Sequence, residues 1–316
     1  MSKKQPKIVT VFAPASVGNI GPGFDVLGCA VTGIGDWVTA SLSSDSGIRI
    51  HSISGTQTQI PKDARKNTVG IAAQEVRKRL GIKKGVDLWL HKNIPGNGLG
   101  SSAASAVAGG FATNILFGEP LKKEELLIPC AKAESRVSGG YFLDNISASL
   151  FGGVVISNPK TKKTVPLGVI PNLVVVLVTP HFPLLTKRAR KVLPLKIPMA
   201  HFIQNMAFSC ALVAAVGQKN VRAFGEAIED VIVEPKRSVL IPGFSEVKKA
   251  ALKNGAFGCS ISGAGSTLFA ITDHPTKGEK IGRAMQQAFQ RKGLKATVTV
   301  SSMDRHGVRM VKGKIL

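Results

Sequence analysis

The run Pro95-Gly96-Asn97-Gly98-Leu99-Gly100-Ser101-Ser102-Ala103-Ala104 places three glycines at alternate positions between an alternating apolar segment and an Ala-rich one. Glycine lets a backbone turn sharply and approach a ligand closely. A helix starting at the two serines presents unpaired N–H groups and a partial positive charge, a combination suited to phosphate. Ser101 and Ser102 have three available uses: capping the helix, bonding phosphate oxygens, or ligating magnesium. The plain alternative is a Gly-rich turn with a serine N-cap. No Gly-Lys-Ser/Thr follows, so this is not a Walker A loop. The third glycine also falls one residue too early for the dinucleotide fingerprint.

Three other segments carry chemistry-bearing residues. Asn19 and Asp25 sit in a Gly/Pro-rich stretch, 14–28, after a β-branched run; such a loop aims side chains into a cleft, or is an ordinary connection with an Asx turn. Glu134 lies near the end of a helical pattern, and Asp144-Asn145 opens another after Gly139-Gly140. Carboxylates brought near a phosphate loop bind magnesium; taken alone, Glu134 reads first as a solvated helix charge paired with Lys132 or Arg136, and the alternative for Asp144 is a helix N-cap. Last, Gly258-Cys259-Ser260-Ile261-Ser262-Gly263-Ala264-Gly265-Ser266-Thr267 reads as a second glycine turn between strands, or a hairpin of small residues.

The elements that must hold these residues follow from periodicity. Strands are expected at 8–13, at 37–43 paired with 47–53, and at 86–91, 154–157, 173–178, 258–261, 267–271 and 296–300. Helices are expected at 67–80, 101–116, 123–137, 144–150, 187–192, 200–216, 221–230, 244–254 and 278–290. The order lacks regular βαβα alternation, which points to α+β layers in two halves. The polar turn at 160–163 is the expected passage between them, giving units 1–163 and 164–316.

Composition bounds the rest. With 316 residues, 44% hydrophobic and 19% charged, the chain can fill a sizeable core and is not globally disordered. A net charge of +23 favours anionic partners without choosing one. Aromatics at 5% poorly supply the stacking platforms of single-strand nucleic-acid binders. The four cysteines form no CxxC pair and lie in apolar surroundings, so they read as reduced, buried thiols of a cytoplasmic protein rather than zinc ligands. The basic run at 1–7 leads into an alternating segment and not a signal-peptide core. No charge occurs between Lys92 and Glu119, but Pro95 and six glycines there argue against a membrane span.

Taken in order, these four segments resemble the homoserine kinases of the GHMP kinase superfamily, over nearly the whole chain. The residues carrying the resemblance are Phe12-Ala13-Pro14-Ala15 through Asn19, Gly21-Pro22-Gly23-Phe24-Asp25-Val26-Leu27-Gly28, Gly98-Leu99-Gly100-Ser101-Ser102-Ala103-Ala104-Ser105 and Ile261-Ser262-Gly263-Ala264-Gly265. The resemblance implies a two-domain GHMP kinase architecture: an N-terminal α+β domain like one found in ribosomal proteins, and a C-terminal α/β sandwich completing the cleft. It implies transfer of phosphate from ATP to the side-chain hydroxyl of L-homoserine, giving O-phospho-L-homoserine in threonine biosynthesis. It further implies a cytoplasmic homodimer with no membrane or nucleic-acid partner.

By the same resemblance, Pro95, Gly96, Asn97, Gly98, Leu99, Gly100, Ser101, Ser102 and Ser105 belong to the ATP site, with Asn67 near base and sugar. Glu134 and Ser102 would hold Mg2+. Asp25 would bind the substrate ammonium, Arg190 and Arg237 its carboxylate, with Phe142 and Gly263 alongside. Arginine suits the carboxylate because its planar donors fit two oxygens at once. Asn19 and Asn145 would orient the attacking hydroxyl. This chain departs from the family in having Phe142 where histidine is usual, a phosphate loop one residue short with Asn97 in place of a small residue, and Ser266 in place of a frequent proline. Two other readings stay open at this point. One is a related GHMP kinase acting on another hydroxylated metabolite. The other is a non-enzymatic basic protein binding anions or RNA.

Overall fold

A computed structural model describes residues 6–311. The basic residues 1–5 lie outside the described residues, as do 312–316.

The first strand, β1 (Ile8–Gly18), is longer than the expected 8–13. Its ladder with β2 (Leu27–Ser46) resumes past an irregularity between Pro14 and Ser16, with Ser16 opposite Ala30. The expected loop at 14–28 therefore shrinks to residues 19–26, and Asn19 stands directly at a strand end. Next come β3 (Ile48–Gly55), the helix α1 (Thr68–Arg79) and β4 (Lys84–Lys92). The expected pairing of 37–43 with 47–53 is corrected: β4 lies between them, antiparallel to β2 (Val38 opposite Leu90) and parallel to β3 (Ile50 opposite Leu88). Val86, Leu88 and Leu90 of β4 are buried at alternate positions. A strand with such a face belongs inside a sheet, where its own backbone groups also find partners on both edges.

Helices α2 (Ser101–Leu116), α3 (Lys123–Ser138) and α4 (Leu143–Phe151) follow. From Ala103 to Phe111 every residue of α2 is buried, and it packs against β1, β2, α1 and α3. A helix apolar on all sides is an interior helix, which accounts for the uncharged stretch after Lys92. β5 (Val154–Asn158) pairs with β2, and β6 (Lys163–Gly168) pairs with β5, so the turn at 160–163 closes a hairpin within this sheet. The chain passes to the second sheet between Gly168 and Val174.

The second half contains β7 (Val174–Pro180), α5 (Thr186–Lys191), α6 (Met199–Gly217), α7 (Val221–Glu226), α8 (Glu234–Arg237), α9 (Phe244–Lys253), β8 (Gly258–Ile261), β9 (Leu268–Thr272), α10 (Pro275–Gln290) and β10 (Ala296–Ser302). Its four-stranded antiparallel sheet runs β10-β7-β9-β8, with β7 internal, as its unbroken apolar run predicts. The chain then returns to the first sheet, where β11 (Arg309–Met310) pairs with β1. The expected α+β class is thus observed. Leu173, Val175, Leu177 and Phe269 share one apolar cluster with Val17 and Ile20, so the two halves are joined through a common core. The expected helix at 221–230 stops at Glu226, and Asp230 turns the chain by accepting the N–H groups of Ile232, Val233 and Glu234. Cys29, Cys130 and Cys259 are buried as expected, and burial pushes each thiol up to about 12. Cys210 is exposed, on α6.

Candidate active site

Of the three uses open to Ser101 and Ser102, capping is not the one observed at the start of α2. The N-cap is Gly100, in the left-handed conformation (φ 63°), and it supplies no side-chain cap. Ser101 and Ser102 are instead the first two helical residues. The first-turn amides of a sixteen-residue helix therefore face the cleft with no carboxylate or hydroxyl cap from the preceding residue. Ser102 Oγ donates to Glu134 Oε1 at 2.8 Å, while Ser101 Oγ is buried with no hydrogen-bond partner among the described residues.

The glycines preceding the helix are demanded by close approach. A Cβ on Gly98 would lie 2.2 Å from the Ser262 carbonyl oxygen, and one on Gly100 would lie 2.2 Å from Ser16 Oγ. The loop is fastened to the second glycine turn: Ser262 Oγ donates to the Gly98 carbonyl at 2.6 Å, and Thr267 N–H to the Asn97 carbonyl at 3.1 Å. Asn97 also donates through Nδ2 to the Phe182 carbonyl at 2.9 Å, so this departure from a small residue ties the loop to the second half.

Beneath the loop lies an ion pair that sequence reading missed. Lys92, at the end of β4, is paired with Asp36 of β2, and both side chains are buried. Lys92 Nζ also donates to the Ser101 carbonyl at 2.9 Å and bonds Ser105 Oγ at 2.8 Å; Ser105 Oγ donates in turn to Asp36 Oδ2 at 2.7 Å. Ser105 is thus committed to this buried network, and Leu99 is buried in the core. The available signal was Lys92 itself, a charge closing an apolar strand before a long uncharged run.

Across the cleft, Asn19 (φ 67°) acts as a bracket. Its N–H donates to Asp144 Oδ2 at 3.0 Å, its Oδ1 accepts from Asp25 N–H at 3.0 Å, and its Nδ2 donates to the Gly263 carbonyl at 2.6 Å. Arg237 Nη1 meets the same carbonyl at 2.9 Å, and its Nε donates to the Ala189 carbonyl at 3.2 Å. Asn145 accepts from Ser16 Oγ at 2.9 Å and donates to Asp144 Oδ1 at 3.3 Å. Burial, and then the charge of Asp25, push the Asp144 carboxyl up to about 6. Burial and the nearby Arg190 bring Arg237 down to about 10, still cationic at neutral pH. Arg190 pairs with Asp25 at 2.5 Å, and its guanidinium carbon lies 3.8 Å from the Phe142 ring centre.

One cleft of about 530 Å³ gathers these groups. Its walls include Pro95, Gly96, Asn97, Gly98, Gly100, Ser101, Ser102 and Glu134 on one side. On the other are Asn19, Asp25, Phe142, Asn145, Arg190, Arg237 and Gly263. Asn67 lies in a smaller adjoining chamber of about 110 Å³, which shares Gln57, Ser101 and Ser102 with the cleft and includes Ser105. There it caps α1, accepting from Val69 N–H and donating to the Pro61 carbonyl. Phe24 and Gln57 carry no sequence signal as site residues; Asp144, whose alternatives were a magnesium-binding carboxylate and a helix cap, lines the cleft and accepts from Asn19 N–H.

A bilobal α+β chain with a glycine loop at a buried helix start and a second glycine turn against it defines a class. The GHMP kinases N terminal domain matches residues 67–153, and the GHMP kinases C terminal domain matches 212–291. Homoserine kinase of Arabidopsis thaliana is 46% identical over 97% of this chain and 86% of its own length. That of Chlorobaculum tepidum is 39% identical over 96% and 98%. The crystal structure of homoserine kinase from Cytophaga hutchinsonii superposes with a TM-score of 0.93 at 40% identity, covering 98% of this chain and 99% of that one. The chain belongs to the homoserine kinases of the GHMP kinase family, phosphotransferases with an alcohol group as acceptor.

Proposed function

We propose that this protein transfers the γ-phosphoryl group of ATP to the side-chain hydroxyl of L-homoserine, forming O-phospho-L-homoserine for threonine biosynthesis. The observation carrying this reading is that Asp25, Arg190 and Arg237 line the same cleft as the 98–102 loop. One carboxylate and two guanidinium groups complement the ammonium and carboxylate of an amino acid, and the amides of the α2 start complement a polyphosphate.

The chain's own groups account for the step by positioning and charge. The loop amides and the hydroxyls of Ser101 and Ser102 hold the phosphates, with Asn67 and its chamber on the base and sugar side. Asn145 orients the hydroxyl, in a frame that Asn19 and Asp144 keep rigid. The new bond forms between the homoserine oxygen and phosphorus as the bond to the ADP oxygen breaks. An amide takes no proton at neutral pH, so the hydroxyl proton passes to a phosphoryl oxygen. The donor set also fits Mg2+: the Glu134 carboxylate and the Ser102 hydroxyl meet at the helix start, beside the unpartnered Ser101 hydroxyl. When bound, magnesium neutralises charge on the phosphates.

Three buried free thiols support a cytoplasmic setting. A homodimer is supported by α6, which is long and apolar enough to cross a membrane yet carries the exposed Met199, Phe202, Ile203 and Met206 beside an apolar groove. A second copy covering that face would remove it from water.

A coupled assay with ATP, magnesium and L-homoserine tests the activity, against a panel of other amino alcohols. ADP release specific to L-homoserine is expected. Faster turnover of a different alcohol would overturn the substrate assignment.

A further inference from the structure

The two arginines of the cleft are held in different ways. Arg237 is buried, and two main-chain carbonyls fix its guanidinium plane. Among the described residues, the Arg190 side chain has one hydrogen-bond partner, Asp25, reached from Nη2, and its buried Nε has none. What lies against its plane is aromatic: the Phe142 ring at 3.8 Å and the Phe24 ring at 5.2 Å. The Phe24 ring also lies 5.0 Å from the Arg237 guanidinium, so both cations are close to it.

This inference rests on the homoserine reading above. When the substrate ammonium engages Asp25, Arg190 gives up its one hydrogen-bonded partner. A flexible arginine released in this way would lose the orientation that two-point carboxylate binding needs. We infer that Phe142 is the positioning residue for Arg190: its ring face holds the guanidinium while Asp25 changes partner, so that the donor edge meets the substrate carboxylate. Phe142 thereby takes up substrate affinity through Arg190, without a polar contact of its own. The attraction of a guanidinium for a ring face, partly shielded from water, is of the size needed.

The test is a double-mutant cycle on kcat/KM for L-homoserine, with Phe142→Leu, Arg190→Ala and the double variant. Phe142 is only partly buried, so its replacement leaves the core intact. Phe142→Leu in the wild-type background is expected to lower kcat/KM by roughly tenfold, through KM, with kcat and the KM for ATP little changed. In the Arg190→Ala background the same change is expected to cost less than about twofold. Phe142→Tyr, which keeps the ring face, restores the low KM. Equal losses in both backgrounds, or a Leu variant as good as Tyr, would overturn the role of Phe142 and leave the substrate assignment standing. Wild-type protein inert toward L-homoserine would overturn both.

Discussion

Asp25 and Arg190 stand 165 positions apart in the chain, and their side chains meet at 2.5 Å across the mouth of the cleft. Each is the other's counter-ion, and each is also the group that a zwitterion's opposite charge would seek. On the proposed reading, substrate binding is an exchange of partners: ammonium would replace guanidinium at Asp25, and carboxylate would replace aspartate at Arg190. Charge inside the cleft stays balanced through the exchange.

Asp25→Asn tests that exchange. Asp25 has a left-handed backbone (φ 57°), which asparagine also tolerates, so the loop keeps its shape. Loss of the charge-assisted bond to ammonium is expected to raise the KM for L-homoserine by roughly 10- to 100-fold. Steady-state kinetics should leave the KM for ATP within about twofold of wild type.

Asp144 makes activity and stability depend on pH in opposite senses. Its folded-state value of about 6 is above the ordinary 3.8, so folding favours the protonated form. Its contribution to stability is fully present below the unfolded value and is lost as pH rises through about 6. Ionised Asp144 is the better acceptor for Asn19 N–H and the better counter-charge near Arg190. The prediction is that kcat/KM falls as pH drops below about 6. Asp144→Asn should remove that limb from the profile and lower kcat. Calorimetry at pH 8 should show the variant melting a few degrees higher, and at pH 4 no higher.

Glu134→Gln keeps the size of the side chain and its bond to Ser102 but removes the charge. Magnesium prefers carboxylate to amide oxygen. A magnesium titration of the rate should show half-saturation moving up at least roughly tenfold, with kcat reduced and the melting temperature little changed.

Gly98→Ala places a methyl 2.2 Å from the Ser262 carbonyl, at a φ of 94° that alanine resists. The two glycine turns must then part. Urea unfolding should show a loss of at least about 2 kcal/mol, and the KM for ATP should rise.

Lys92→Met leaves Asp36 buried without its cation. Breaking such a pair costs roughly 3–5 kcal/mol. The double variant Lys92→Met/Asp36→Asn should recover part of that loss in urea unfolding. A double variant no more stable than the single one would show that the pair contributes by packing alone.

Local patterns were well read from the residues themselves. The helix at 101–116 has the bounds its composition indicates, and the strand at 258–261 likewise. Apolar spacing reports a helix or strand face because each element must bury its own stripe, and that information is local. Pairing is not local. The strand 47–53 satisfied every rule for a partner of 37–43, yet β4 came between them. Caps are a similar case: a serine pair at a helix start reads as a cap, but Gly100 took that position because only glycine clears Ser16 and Asn145 there.

By itself, then, the sequence determined the element types, the α+β class and the glycine loops, since these depend on neighbours within a few residues. Family likeness also marked Asp25, within one of the four short segments, and Arg190 and Arg237, outside them. Tertiary structure alone decided that Asp25 and Arg190 pair, that Arg190 rests on Phe142, that Asp144 braces Asn19 and that Lys92 is buried under the 98–102 glycine loop. Distances between side chains far apart in the chain arise when two sheets close on a common core, and no spacing along the chain encodes them.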